Sequence, residues 1–268
     1  MNRKTTTVLA LLSVTALLFL ATGCEKLRAR DRLNKGVQAF RSASYPEAVE
    51  HFKQAIQLDP TFATARLYLA TAYMQQYIPG AESEENERMA KAAHDEFVTV
   101  LEQDPKNEVA LASIALLFFN QKKLDEAAEW YKKLISIAPK NKEAHYTLGV
   151  IAWTKTFQPR MEARAKLGMR PEDPGPIKDK KVREELGIKN LPVVEDGMKH
   201  LEEALNIDKE YEDAMAYLNL LYRERADLQA DSGTYRKDTE TADNWVQKTL
   251  ETKKIKASRM PTSSITAE

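Results

Sequence analysis

One cysteine, Cys24, in 268 residues leaves no internal disulfide partner. Nine glycines form no phosphate-cradling loop, and neither a Gly-x-Ser-x-Gly turn nor a second cysteine marks a catalytic nucleophile. The longest apolar run, residues 8–21, falls short of the ~20 residues needed to span a bilayer. Charge of one sign is also lacking: 40 Lys and Arg balance 40 Asp and Glu, which removes the basic footprint of a nucleic-acid binder. Four histidines, His51, His94, His145 and His200, stand at no metal-ligand spacing, so neither a metal nor a cofactor is implied. These absences argue against an enzyme.

What is present begins at the amino terminus. Arg3 and Lys4 precede the apolar run, and Ala21-Thr22-Gly23 precedes Cys24, the order of a cleaved secretory signal over residues 1–23. The segment resembles a bacterial lipoprotein signal, which implies a lipid-modified Cys24 as the mature amino terminus. Ala21 replaces the Leu usual three residues before such a cysteine, and the alternative is ordinary cleavage leaving a free thiol. Two or more acyl chains hold a protein firmly on a membrane where one holds marginally. Glu25, not Asp, follows the cysteine, and the resemblance then implies an outer-membrane lipoprotein facing the periplasm. Residues 24–28 are expected to be a short tether.

The strongest pattern is a 34-residue echo. Gly36, Ala48, Phe52, Ala55 and Pro60 recur as Ala115, Ala127, Tyr131, Leu134 and Pro139. A period of this length predicts helix-turn-helix units that bury their apolar faces only by stacking. Small residues mark the closest helix crossings, larger ones interlock, and Pro ends the second helix. Five units follow: 29–62, 63–107, 108–141, 142–211 and 212–251. The second and fifth are lengthened, and the fourth carries an insertion at about 154–196. The lysine-bearing segment 252–268 is poor in apolar residues and predicts a disordered tail.

These residues resemble the tetratricopeptide-repeat family, which implies an all-α, right-handed superhelical solenoid with an irregular insertion in the fourth unit. The resemblance also implies a concave groove lined from the first helix of each unit. Its positions fall on Leu33, Val37 and Phe40; on Leu67 and Met74; on Leu116 and Phe119; on Tyr146, Val150 and Trp153; and on Leu220 and Arg223. This lining is apolar and aromatic, unlike the Lys, Arg and Asn of the subgroup that clamps a terminal carboxylate. Either a partner segment lies in it or the insertion folds back to fill it.

The insertion centres on Arg170-Pro-Glu-Asp-Pro-Gly-Pro176, which forbids regular helix, with short helices expected at 161–168 and 180–187. Arg160, Arg164, Lys166, Arg170, Lys178, Lys180, Lys181 and Arg183 make it a candidate basic arm toward anionic head groups or an acidic partner. The leading expectation is an envelope-anchored scaffold or adaptor that binds a segment of another envelope protein and joins the membrane through Cys24. The alternatives are a cell-wall-processing enzyme or its regulator, using the insertion with carboxylates such as Glu162 and Glu172, and a periplasmic chaperone of low selectivity.

Overall fold

The computed structural model describes residues 24–259, so the signal segment 1–23 and the last part of the expected tail, 260–268, lie outside it. All regular structure among the described residues is helical. α1 covers 24–41, followed by α2 (Tyr45–Leu58), α3 (Ala63–Gln76), α4 (Glu84–Gln103), α5 (Glu108–Asn120), α6 (Leu124–Ile137), α7 (Lys142–Lys166), α8 (Lys180–Ile207), α9 (Glu212–Asp227) and α10 (Ser232–Arg259). Counted among the described residues they are ten, two for each of the five expected repeat units.

Local chemistry sets the boundaries. Pro46 opens α2, where a missing N–H costs nothing. Ser83, Asn107, Asn141 and Asp179 each cap a helix by accepting a bond from the backbone N–H three residues on. Ala43, between α1 and α2, sits at φ 57°, a left-handed conformation that strains any residue with a Cβ.

The described chain divides into two compact units at 123/124. In the first, Phe52 is fully buried among Ala48, Leu69 and Ala72. Gly36 is required there, because a Cβ would stand 2.5 Å from the Phe52 ring. Ala93, Phe97, Val100, Ile114 and Ala115 are buried in the same unit. The added residues of the second repeat are a turn over 77–83 and a longer α4, whose first turn holds Glu84, Glu85 and Glu87. Asn86 ties the turn down, accepting from Ile78 N at 2.7 Å and donating to Ile78 O and Ala81 O.

The second unit packs α8 and α9 around Leu201, Ala204, Met215, Leu218 and Leu221. Gly149 lets α7 and α8 touch, since a Cβ would lie 2.3 Å from Leu201 Cγ. Each fully buried side chain of this size contributes roughly 1.5–3 kcal/mol.

Three expectations need correction. The insertion is mostly regular helix: α7 runs through Pro159 and α8 through Pro192, leaving only 167–179 irregular. A proline inside a helix removes one backbone bond and clashes with the preceding turn, yet here packing of the extensions outweighs that penalty. The tail is helical as far as Arg259, because Thr252 meets Met215 Sδ at 3.6 Å, Lys256 pairs with Glu212, and Arg259 bonds Glu210 at 2.7 Å. Residues 24–28, expected as a short tether, are the opening residues of α1.

Candidate functional site

In the first unit the expected lining residues lie on α1, α3 and α5. Leu33, Val37 and Phe40 are half-buried against the Phe52 core, with Phe40 edge-on to Tyr68 at 6.3 Å. Leu67, Met74 and Phe119 are also half-buried. Leu116 is 41% exposed and Val109, two turns earlier on α5, is 54% exposed, an apolar strip that this unit leaves facing solvent. The arrangement offers contact area and no reactive group.

In the second unit, α7 and α9 present an aromatic set. Tyr146 lies 5.2 Å from Tyr211 and 5.5 Å from Tyr217, ring centre to ring centre, and Trp153 lies 5.7 Å from Tyr217 and 4.9 Å from Phe157. Edge-on and tilted rings at these distances attract through their quadrupoles. Tyr211 and Tyr217 belong to the site although sequence spacing did not indicate them, because only packing of α9 on α7 brings them to Tyr146. Burial, then the neighbouring Tyr217 and Asp213, pushes the Tyr146 phenol far above its ordinary value. Burial, then Glu143 and Asp213, pushes Tyr211 up to about 12.

Two other expected lining residues behave differently. Val150 is buried and belongs to the core rather than to an open face. Arg223 is half-buried and held by Asn219 Oδ1 at 2.9 Å and Asp243 Oδ1 at 2.6 Å. Leu220 is half-buried on α9.

The candidate basic arm is also redistributed. Arg160 and Arg164 point inward: Arg160 pairs with Glu224 at 2.8 Å and Asp227 at 2.6 Å, and Arg164, 2% exposed, meets Asp227 at 2.7 Å. Arg164 also donates to the carbonyls of Arg170 and Asp173, while Ile177 N donates to Asp227 O, so the pair straps 167–179 onto α9. Arg183 donates to Ile177 O and Ala230 O. These three arginines hold structure and are not an arm. Lys166, Arg170, Lys178, Lys180 and Lys181 remain exposed, with Arg170 paired to Asp173 and both Lys180 and Lys181 facing glutamates one turn on.

Phe157 of the insertion joins the aromatic set through Trp153, and Val194 joins the core of α8 and α9, but five other apolar side chains of the insertion pack on each other. Ile177, Leu167, Val182, Leu186 and Leu191 gather around Ala163 and Leu228 as a small core of their own, which uses them up locally instead of laying them over the aromatic set. Glu162 is exposed and bonded by Gln158, and Glu172 is exposed beside Arg170, so the two carboxylates singled out for an enzyme have ordinary surface partners.

Two histidines that sequence spacing kept apart meet in the second unit. His145 Nε2 faces the carbonyl of Pro139 at 3.1 Å and therefore carries a hydrogen. Its Nδ1 stands 3.0 Å from His200 Nδ1, so one of the two rings donates and the other accepts. Burial, helped by His145 and Lys132 against the pull of Asp196, lowers the His200 pKa. Among the described residues no group of three His, Cys, Asp or Glu is placed to hold a metal ion.

In the first unit an open cleft of about 670 Å3 lies between α4 and the end of α5, lined by Tyr77, Glu82, Glu87, Lys91, His94 and Phe118 among others. Its charges are mixed and select no ligand class. Cys24 is exposed and forms no disulfide.

The family described as TPR repeat matches residues 40–76 and 115–155. Sperm-associated antigen 1 of Mus musculus is 31% identical over 117 residues, 44% of this chain, and the chain spans 12% of that protein's length. Among solved structures, MamA aligns with a TM-score of 0.58 at 13% identity, covering 88% of this chain and 97% of MamA. YrrB, described as a TPR protein with an unusual peptide-binding site, aligns with a TM-score of 0.52 at 12% identity, covering 85% of this chain and 91% of YrrB. At these identities the structural likenesses establish the fold.

Proposed function

The chain is built from tetratricopeptide repeats, and from that premise we propose that it is an interaction scaffold that captures a segment of another protein on the first-helix faces of its repeats. The observation that carries this reading is the row of half-buried and exposed apolar side chains on those helices, above all Val109 and Leu116 on α5. Such strips mark contact surfaces in soluble proteins. The peptide-binding site named for YrrB supports the same reading.

Five or six apolar anchors at about 1.5–3 kcal/mol each, set against roughly 4–15 kcal/mol for association, fit a micromolar contact. We further propose that the scaffold is anchored to a bacterial outer membrane through lipid on Cys24, a reading supported by the apolar run and small residues before this lone cysteine. Replacing Phe119 or Trp153 by Asp is expected to weaken capture of the partner at least tenfold, about 1.4 kcal/mol, while helical circular dichroism is kept. Capture at full strength by both variants contradicts the reading. Incorporation of labelled palmitate, lost in Cys24→Ser, tests the anchor.

A further inference from the structure

Four carboxylates act on Tyr211 of the second unit, Glu143, Asp208, Glu212 and Asp213, and Asp213 acts on Tyr146 as well. Two are answered from within. Lys142 bonds Asp208 at 2.7 Å, and Lys256 pairs with Glu212. Asp213 is exposed and makes no ion pair among the described residues, and Glu143 has only a 3.9 Å approach from Lys142, which lies nearer to Asp208. The tyrosines therefore sit beside one negative charge with no ion-pair partner among the described residues, Asp213, and a second, Glu143, that is only weakly paired. At the other end of α7 and α9 the charges close on themselves, through Arg223 with Asp243 and Lys155 with Asp125.

The rings suit a cation as well. Lys142 already places its ammonium 5.0 Å from the centre of Tyr211, so one face of this set is in use in that way. Tyr146 and Tyr217, half-buried and edge-on to each other, present further π density, with Asp213 acting on Tyr146 as it does on Tyr211. A ring face attracts a cation electrostatically, and a nearby carboxylate reinforces that attraction. A carboxylate from a partner would meet repulsion from Glu143 and Asp213.

We infer that Tyr146, Tyr211 and Tyr217, with Asp213 and Glu143 at their side, form a seat for a lysine or arginine side chain of the bound segment. This inference rests on the reading of the first-helix faces as a peptide-binding surface and adds the chemical class of the segment. The chain's own residues 260–268 contain no Lys or Arg and cannot supply that side chain.

The test is selection of a random nonapeptide library displayed on phage against the purified chain, in parallel with Asp213→Asn/Glu143→Gln. The seat predicts that recovered peptides are enriched in Lys and Arg over the input. It also predicts that the enrichment disappears with the double variant, and that a recovered basic peptide binds that variant about tenfold more weakly. Neither substitution touches the core, so unchanged circular dichroism accompanies the loss. Peptides recovered without basic enrichment, or basic enrichment that persists with the double variant, overturn the seat and leave the peptide-binding reading standing. Recovery of no peptide at all overturns both.

Discussion

His200 is the residue whose surroundings most clearly couple chemistry to stability. Its ring hydrogen-bonds that of His145 and is held partly buried beside Lys132 of α6, with Asp196 of its own helix the one group favouring charge. Because the folded state lowers the pKa from 6.5, the folded protein binds fewer protons than the unfolded chain below that value. Stability from this group is therefore complete above about pH 6.5 and falls as the pH drops through 6.5 toward the lower folded value. The urea midpoint is expected to be lower at pH 5.5 than at pH 7.5 in the native protein, and His200→Gln is expected to shrink that difference. An equal pH dependence in the two proteins contradicts the assignment. The carboxylates held down by lysine partners, Asp208 by Lys142 and Glu212 by Lys256, act in a more acidic range and do not confuse this window.

Among the elements, the extended α7 and the strap 167–179 depend on one acid. Asp227 accepts from both Arg160 and Arg164, its backbone carbonyl receives Ile177 N, and both its arginine partners are almost wholly withdrawn from water. Burial pushes the nearby Glu224 carboxyl up, opposed by Arg160. Removing one member of such a buried set leaves an uncompensated charge and costs on the order of 3–5 kcal/mol. Asp227→Asn is accordingly expected to raise hydrogen exchange across 167–179 and to lower the stability of the second unit, with exchange in α2 to α5 unchanged. Native-like protection of 167–179 in the variant contradicts the strap. In the sequence Arg160 and Arg164 stood out only as part of the candidate basic arm, and nothing marked Glu224 or Asp227. Their pairing was not legible, because it requires α7 to continue past Pro159 and run along α9.

For the molecule as a whole, the repeat architecture was legible because its marks are steric. Gly36, Gly149, Ala115 and Ala152 stand where helices touch, and Phe52, Phe97, Leu134 and Leu201 are buried where they interlock. The prolines misled in the insertion and the charge density misled in the tail, since both are local signals that tertiary contacts outweighed. In the candidate site, Leu116, Phe119, Tyr146 and Trp153 followed from the repeat frame. Val150 did not, as its side chain turns into the core, and Tyr211 and Tyr217 emerged only from the packing of α9 on α7. The central claim is that the first-helix faces hold a protein segment. Its most direct test places a photo-crosslinking amino acid at Leu116, at Trp153 and, as a control, at the exposed Glu129 on α6, and irradiates cells that express the full chain. The account predicts one discrete protein adduct from positions 116 and 153 and none from 129. Adducts from 129 alone, or from all three positions alike, would contradict it.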